Sequence, residues 1–214
     1  MSSPLLWECA TSVKAATGSN FTVELRPEWA PLGTQRVAQL VHDRFFDEML
    51  FFRALPNFLI QIGIPKAADK LKYWQDMGTI EDDPPLSPPV PFTDGVVSFA
   101  GYAKHSRSTH LFFTLGSQPN LGTRPWEVPV GHVVQGMDVI HGIYTGYRDK
   151  VNQNKLSPDQ PGAREYAQSF PKLDRIIGCS MKGGEMQVNK RELSQQADDE
   201  VHRWRTSGSL SAST

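Results

Sequence analysis

The chain has 214 residues, 39% of them apolar, with 22 basic against 23 acidic side chains and a formal net charge of −1. That length suffices for one sizeable core, and the balanced charge argues against a large electrostatic footprint for nucleic acid or anionic membrane. No run approaches the ~20 consecutive apolar residues that would span a bilayer; Arg53, Pro56 and Pro65 interrupt the longest candidates.

The first twenty residues, MSSPLLWECATSVKAATGSN, carry one short apolar patch at Pro4–Trp7 with no basic residue before it. They make a poor signal peptide and read as an N-terminal extension, so the cytoplasm is favoured over the secretory pathway. Cys9 and Cys179 are the only cysteines. One disulfide is open to them in an oxidising compartment, but free buried thiols are the more economical reading.

Phe21, Val23 and Leu25 alternate with Thr22, Glu24 and Arg26, which predicts a half-buried strand ended by Pro27. Val37, Leu40 and Val41 lie at helical spacing behind Pro31, so a helix is predicted after it. FFRALPNFLIQIG (51–63) follows as part of two strands, 50–55 and 57–64, turned at Pro56-Asn57. A cation in such an apolar run is costly to bury unpaired. Arg53 therefore either faces solvent on a half-buried strand or lines a cleft whose chemistry needs a fixed donor.

From Pro65 to Asp94 the periodicity dissolves, and five prolines follow residue 83. This predicts a long surface connection with about one helical turn near its start. Strands are predicted again at 95–102, 109–115, 128–135 and 174–181, with a short helix over 137–144. Lys190–Arg205 reads as a solvated helix and the last ten residues as disordered. Many short strands and two good helices indicate a mostly β domain over 21–182, followed by a polar tail over 183–214.

Six histidines show no HxxH or HExxH spacing, so no metal is expected. No nucleophile elbow and no glycine-rich phosphate loop are present, and no cofactor is implied. What remains is Arg53, Phe58, Leu59 and Gln61, then Phe99–Gly101, then His110 and Phe112. Taken singly, each aromatic is core.

In this order they resemble the cyclophilins, the cyclosporin-binding peptidyl-prolyl isomerases. The family signature FxRxxPxFxxQxG is similar to Phe51–Gly63. Gly95–Ala100 and Thr109–Phe113 resemble its GxxSMA and SQFFI-like strands, and Pro129–Ile140 resembles its PFGxVxxGMxVV stretch. EDDP (81–84), SPDQ (157–160) and FPKLD (170–174) resemble a divergent branch.

The resemblance implies a closed eight-stranded antiparallel barrel capped by two helices, with a substrate groove on its outer face. It implies a monomer that isomerises Xaa-Pro bonds in proline-containing peptides or proteins. By the same resemblance Arg53 and Gln61 are catalytic. Phe58, Leu59, Phe112 and Leu121 would hold the proline ring, and Ala100, Gly101 and His110 would contact the extended substrate.

Two departures alter the rim. His110 stands where the best-known members have glutamine, so a pH-dependent charge is expected there. In NLGTRPWEVPVG, Trp126 is displaced toward Pro129 and Glu127 falls about where the usual His stands, so cyclosporin is expected to bind weakly. The alternative is a cyclophilin-like module that binds proline segments without turnover.

Overall fold

In LLWECATSVKA every second residue points inward: Leu5, Trp7, Cys9, Thr11 and Val13 are all buried. That period of two builds β1 (Leu5–Ala15), the longest strand of a computed structural model that describes residues 3–184. Leu5–Ala15 is therefore a strand of the sheet, although it lies within the twenty residues read as an extension. Thr11 looks like an interruption of an apolar pattern, but it is accommodated because its hydroxyl donates to the Ser19 carbonyl at 2.8 Å.

β1 pairs with β2 (Gly18–Leu25) on one side and with β8 (Ile176–Lys182) on the other. The second pairing sets Cys9 directly opposite Cys179, with Cα atoms 4.2 Å apart, and the two form a disulfide. The expectation of free thiols is thus corrected. A sequence separation of 170 residues hid a pair that strand register makes adjacent.

The remaining strands are β3 (Arg53–Leu55), β4 (Leu59–Ile62), β5 (Val96–Phe99), β6 (Leu111–Thr114) and β7 (Pro129–Gln135). Together the eight form one sheet in the order β3-β4-β6-β5-β7-β2-β1-β8, with every pairing antiparallel. The sheet curls until its ends nearly meet. β3 and β8 share no ladder. Instead the residues leading into β3 reach across: Leu50 bridges Arg175, Phe51 N–H donates to the Asp174 carbonyl at 3.0 Å, and Ile176 N–H donates to the Met49 carbonyl at 2.8 Å.

Inside the curl, Trp7 lies 4.9 Å from Phe46 and 6.0 Å from Phe113, while Phe21 meets Phe113 edge-on at 5.4 Å. Such rings fill the interior and leave no room for substrate there. Helix α1 (Pro31–His42) packs against β7 and β8, its Val37, Leu40 and Val41 buried as their spacing predicts. The 137–144 helix forms as α3 (Met137–Gly142) and packs against β1 and β2.

The connection after Pro65 is more ordered than expected. It holds α2 (Ala68–Asp76), a full nine-residue helix anchored by Trp74, whose Nε1 donates to Asp43 at 2.9 Å. Two further short helices, α4 (Gln153–Leu156) and α5 (Ala163–Gln168), fall in a stretch that showed no helical periodicity. They form around a satellite core of Phe52, Ile64, Val151 and Leu156. The predicted tail helix and disordered end lie outside the described residues. Among the described residues no helix is long and apolar enough to cross a membrane.

Candidate active site

Pro56-Asn57 turns the chain between β3 and β4, and Asn57 takes the left-handed φ of 57° that the tight return requires. The hairpin register sets Arg53 opposite Gln61 and Leu55 opposite Leu59. Along β4, Ile60 and Ile62 point into the core while Leu59 and Gln61 point outward. β6 lies alongside with Leu111 and Phe113 inward and Phe112 outward, so Gln61 and Phe112 are register partners on the outer face.

The polar half of the site is a row across these strands. Arg53 Nη1 donates to Gln61 Oε1 at 3.2 Å, and Gln61 Nε2 lies 3.4 Å from His110 Nδ1. Arg53 is half-buried, and among the described residues this is the hydrogen bond its side chain makes. The rest of its donor fork is left open. Arginine is charged across the whole accessible pH range, so the row presents a fixed cation.

His110 is wedged into place. Phe52 meets its ring edge-on at 5.7 Å, and Gly63, at φ 137°, lies so close that a Cβ there would fall 2.5 Å from the His110 Cα. Burial pushes the imidazole pKa down from 6.5 to about 4. His110 is therefore neutral at pH 7, and the pH-dependent charge expected there falls in the acid range, around pH 4. A neutral ring can accept at Nδ1, so Gln61 donates to it. That in turn fixes the Gln61 amide with its oxygen toward Arg53.

The apolar half adjoins this row. Leu59 and Phe112, though they point away from the core, are 6% and 5% exposed because they pack together with Phe92 and Val96. Phe58, Ala100 and Leu121 pack against the same cluster. The structure thus brings Phe58, Leu59, Ala100, Phe112 and Leu121 together, beside Arg53, Gln61 and His110. Sequence reasoning took Val96 only as part of a strand and missed Phe92 altogether. Its signal was a lone aromatic between Pro91 and the strand start, inside a stretch read as connection.

Gly101 sits at the rim with Trp126 laid against it: a Cβ at 101 would fall 2.6 Å from the indole. Tyr102 beside it is 85% exposed. Glu127 is turned away from the site's chemistry. Its Oε2 accepts from the backbone N–H groups of Gly122, Thr123 and Arg124 at 3.0, 3.1 and 3.2 Å, which stiffens the rim loop. The departures at 126 and 127 are thus structural parts of that loop.

Residues 11–160 match the sequence model of the cyclophilin type peptidyl-prolyl cis-trans isomerase/CLD family. The chain belongs to that family. Its relatives include peptidyl-prolyl cis-trans isomerase-like 1 of Aspergillus niger, 30% identical over 133 residues that cover 61% of this chain and 80% of that one. Peptidyl-prolyl cis-trans isomerase 9 of Schizosaccharomyces pombe is 27% identical over 139 residues, 64% of this chain. The chain spans only 22% of that relative's length and 20% of a Gibberella zeae isomerase-like protein.

Among solved structures, a Cryptosporidium parvum cyclophilin type peptidyl-prolyl cis-trans isomerase superposes with a TM-score of 0.57 at 15% identity, covering 85% of this chain and 99% of that one. The same protein crystallised in the presence of the dipeptide Ala-Pro gives the same TM-score. At that identity the likeness speaks for a shared fold.

Proposed function

We propose that this cyclophilin-family chain is a peptidyl-prolyl cis-trans isomerase that accelerates rotation about Xaa-Pro bonds in protein substrates and so assists folding. The observation that carries this reading is the Arg53–Gln61–His110 row: a cation with open donors, held beside an apolar cluster on the outer face of the sheet. In this reading the curled sheet acts as a closed barrel with α1 and α3 over its ends. The protein works as a monomer on proline-containing segments, needs no metal or organic cofactor, binds no nucleic acid and takes cyclosporin weakly.

The chemistry needs no covalent step. Rotation about the Xaa-Pro bond faces a barrier of ~18–20 kcal/mol because amide resonance is lost on twisting. Once twisted, the prolyl nitrogen regains a lone pair and accepts a hydrogen bond that neither planar isomer accepts. A donor aimed at that nitrogen therefore binds the transition state better than the ground state.

Arg53 is that donor. Gln61 holds the guanidinium, and neutral His110 holds Gln61 in the amide orientation that does so. Phe58, Leu59, Phe112 and Leu121 seat the proline ring, while the backbone at Ala100 and Gly101 takes the flanking segment as an added strand.

The test is exchange NMR on a short Ala-Pro peptide, comparing the native chain with Arg53→Ala. Loss of one transition-state donor is expected to lower the exchange rate by about 10²–10³-fold, with melting unchanged. Saturable peptide binding without acceleration by the native chain would instead make it a proline-binding module.

A further inference from the structure

We propose that Phe92 is a positioning residue that sets the ring specificity of the proline site by holding Phe112 from behind. This rests on the isomerase reading above.

Phe92 arrives from the end of the long connection after Pro65, not from β3, β4 or β6, which carry Arg53, Leu59, Gln61 and Phe112. Its ring stacks on Phe112 with centroids 6.1 Å apart and planes 18° from parallel, and it is 3% exposed. Leu59 and Val96 belong to the same buried cluster. On the side of the rim, Gly122 lies so close that a Cβ there would fall 3.0 Å from the Phe92 ring. The Phe92 carbonyl accepts from Gln118 N–H at 2.7 Å, and the neighbouring Thr93 carbonyl accepts from the Thr114 hydroxyl. The connection, the rim loop and β6 thus meet at Phe92, through its ring and through the backbone carbonyls of Phe92 and Thr93.

A ring held in this way cannot give ground, because close-packed interiors resist loss of a single contact layer. Phe112 in turn cannot tilt or recede without displacing Phe92. The depth available to a substrate ring is therefore a property of Phe92 as much as of Phe112. The five-membered prolyl ring should fit that depth, and the six-membered pipecolyl ring, one methylene larger, should be excluded.

Phe92→Ala opens space behind Phe112 and lets it retreat, whereas Phe92→Leu retains most of the volume. The experiment titrates and follows exchange in two tetrapeptides, one with Ala-Pro and one with Ala-pipecolate, using the native chain and both variants. For Phe92→Ala the prolyl-to-pipecolyl preference should fall by about tenfold, the scale of one methylene in an apolar pocket. The change should appear in KM and in binding, with kcat for the prolyl peptide far less affected. Phe92→Leu should move the preference in the same direction by less.

A folded Phe92→Ala that loses both peptides equally, or changes neither, would overturn the proposal. If the alanine variant does not fold, a native preference ratio in Phe92→Leu overturns it as well. Acceleration and binding are read separately. A native chain that binds the prolyl peptide without accelerating it sinks the isomerase reading, while the binding ratio still decides Phe92. A native chain that binds neither peptide counts against both.

Discussion

Two arginines in this protein sit in opposite circumstances. Arg107 is wholly buried, with Nη1 donating to Asp83 Oδ2 at 2.7 Å, Nη2 donating to the Glu81 carbonyl and Nε 3.5 Å from Asp82. Asp83 also accepts from the Leu32 and Gly33 N–H groups, at 2.8 and 2.9 Å, in the first turn of α1. It thereby caps a helix whose own N-cap residue, Ala30, offers no side-chain bond.

Arg53 is half-buried, bonded to a neutral amide, and has open donors. The buried arginine is matched by Asp83 and the Glu81 carbonyl and sealed from solvent, so it can serve the fold but not a substrate. The unmatched cation costs the fold some solvation, and in the proposed function it is held ready for an incoming acceptor. An arginine's partners, more than its burial, separate architecture from function here.

The sharpest way to test that separation is Asp83→Ala. It strands the Arg107 charge and two helix N–H groups, so unfolding free energy should drop by about 3–5 kcal/mol in denaturant titration. Isomerisation per folded molecule should hardly change. A large activity loss with stability intact would break the distinction.

His110 gives the next effect, through pH. Its folded pKa of about 4 lies below its ordinary value of 6.5, so between those values the unfolded chain binds more protons. The associated stability is fully present above pH 6.5 and is lost as pH falls toward 4. The loss should be on the order of 3 kcal/mol at most. His110→Gln should flatten that window in denaturant midpoints measured from pH 7 to 4, and an unchanged slope would count against a buried neutral imidazole.

The smallest effect sharpens the Arg53 side. Arg53→Lys keeps the charge but replaces the planar fork by a point donor that Gln61 cannot hold in the same plane. Exchange should slow by about tenfold, less than in Arg53→Ala, if donor geometry adds to charge. Equal rates for Lys and Arg would mean that charge alone acts.

Much of the fold was legible where a pattern was local. The strand alternation at Phe21–Leu25, the turn at Pro56-Asn57 and the stripe Val37, Leu40, Val41 each appear at their expected places. β1 escaped notice because its inward row reads Leu, Trp, Cys, Thr, Val, in which Thr11 is a polar interruption and Cys9 was read only for its thiol. α4 and α5 escaped because they are too short to show a helical period. Their order comes from tertiary packing, in which Tyr166 and Phe170 meet at 5.2 Å. Phe92 looked like one more residue of a proline-rich connection, since nothing nearby in sequence announces the Phe112 ring it stacks upon.

What the amino-acid sequence determined by itself lies within a few residues along the chain. Arg53 and Gln61 face each other because one short turn and a period of two leave them no other register. Tertiary structure alone decided the rest. Cys9 meets Cys179, Asp83 meets Arg107 and caps α1, and His110 is kept neutral between Phe52 and Gly63. Each of these depends on burial or contact between segments far apart in the chain. A residue's dielectric surroundings and its distant partners exist only once the sheet has curled, so no local pattern could carry them.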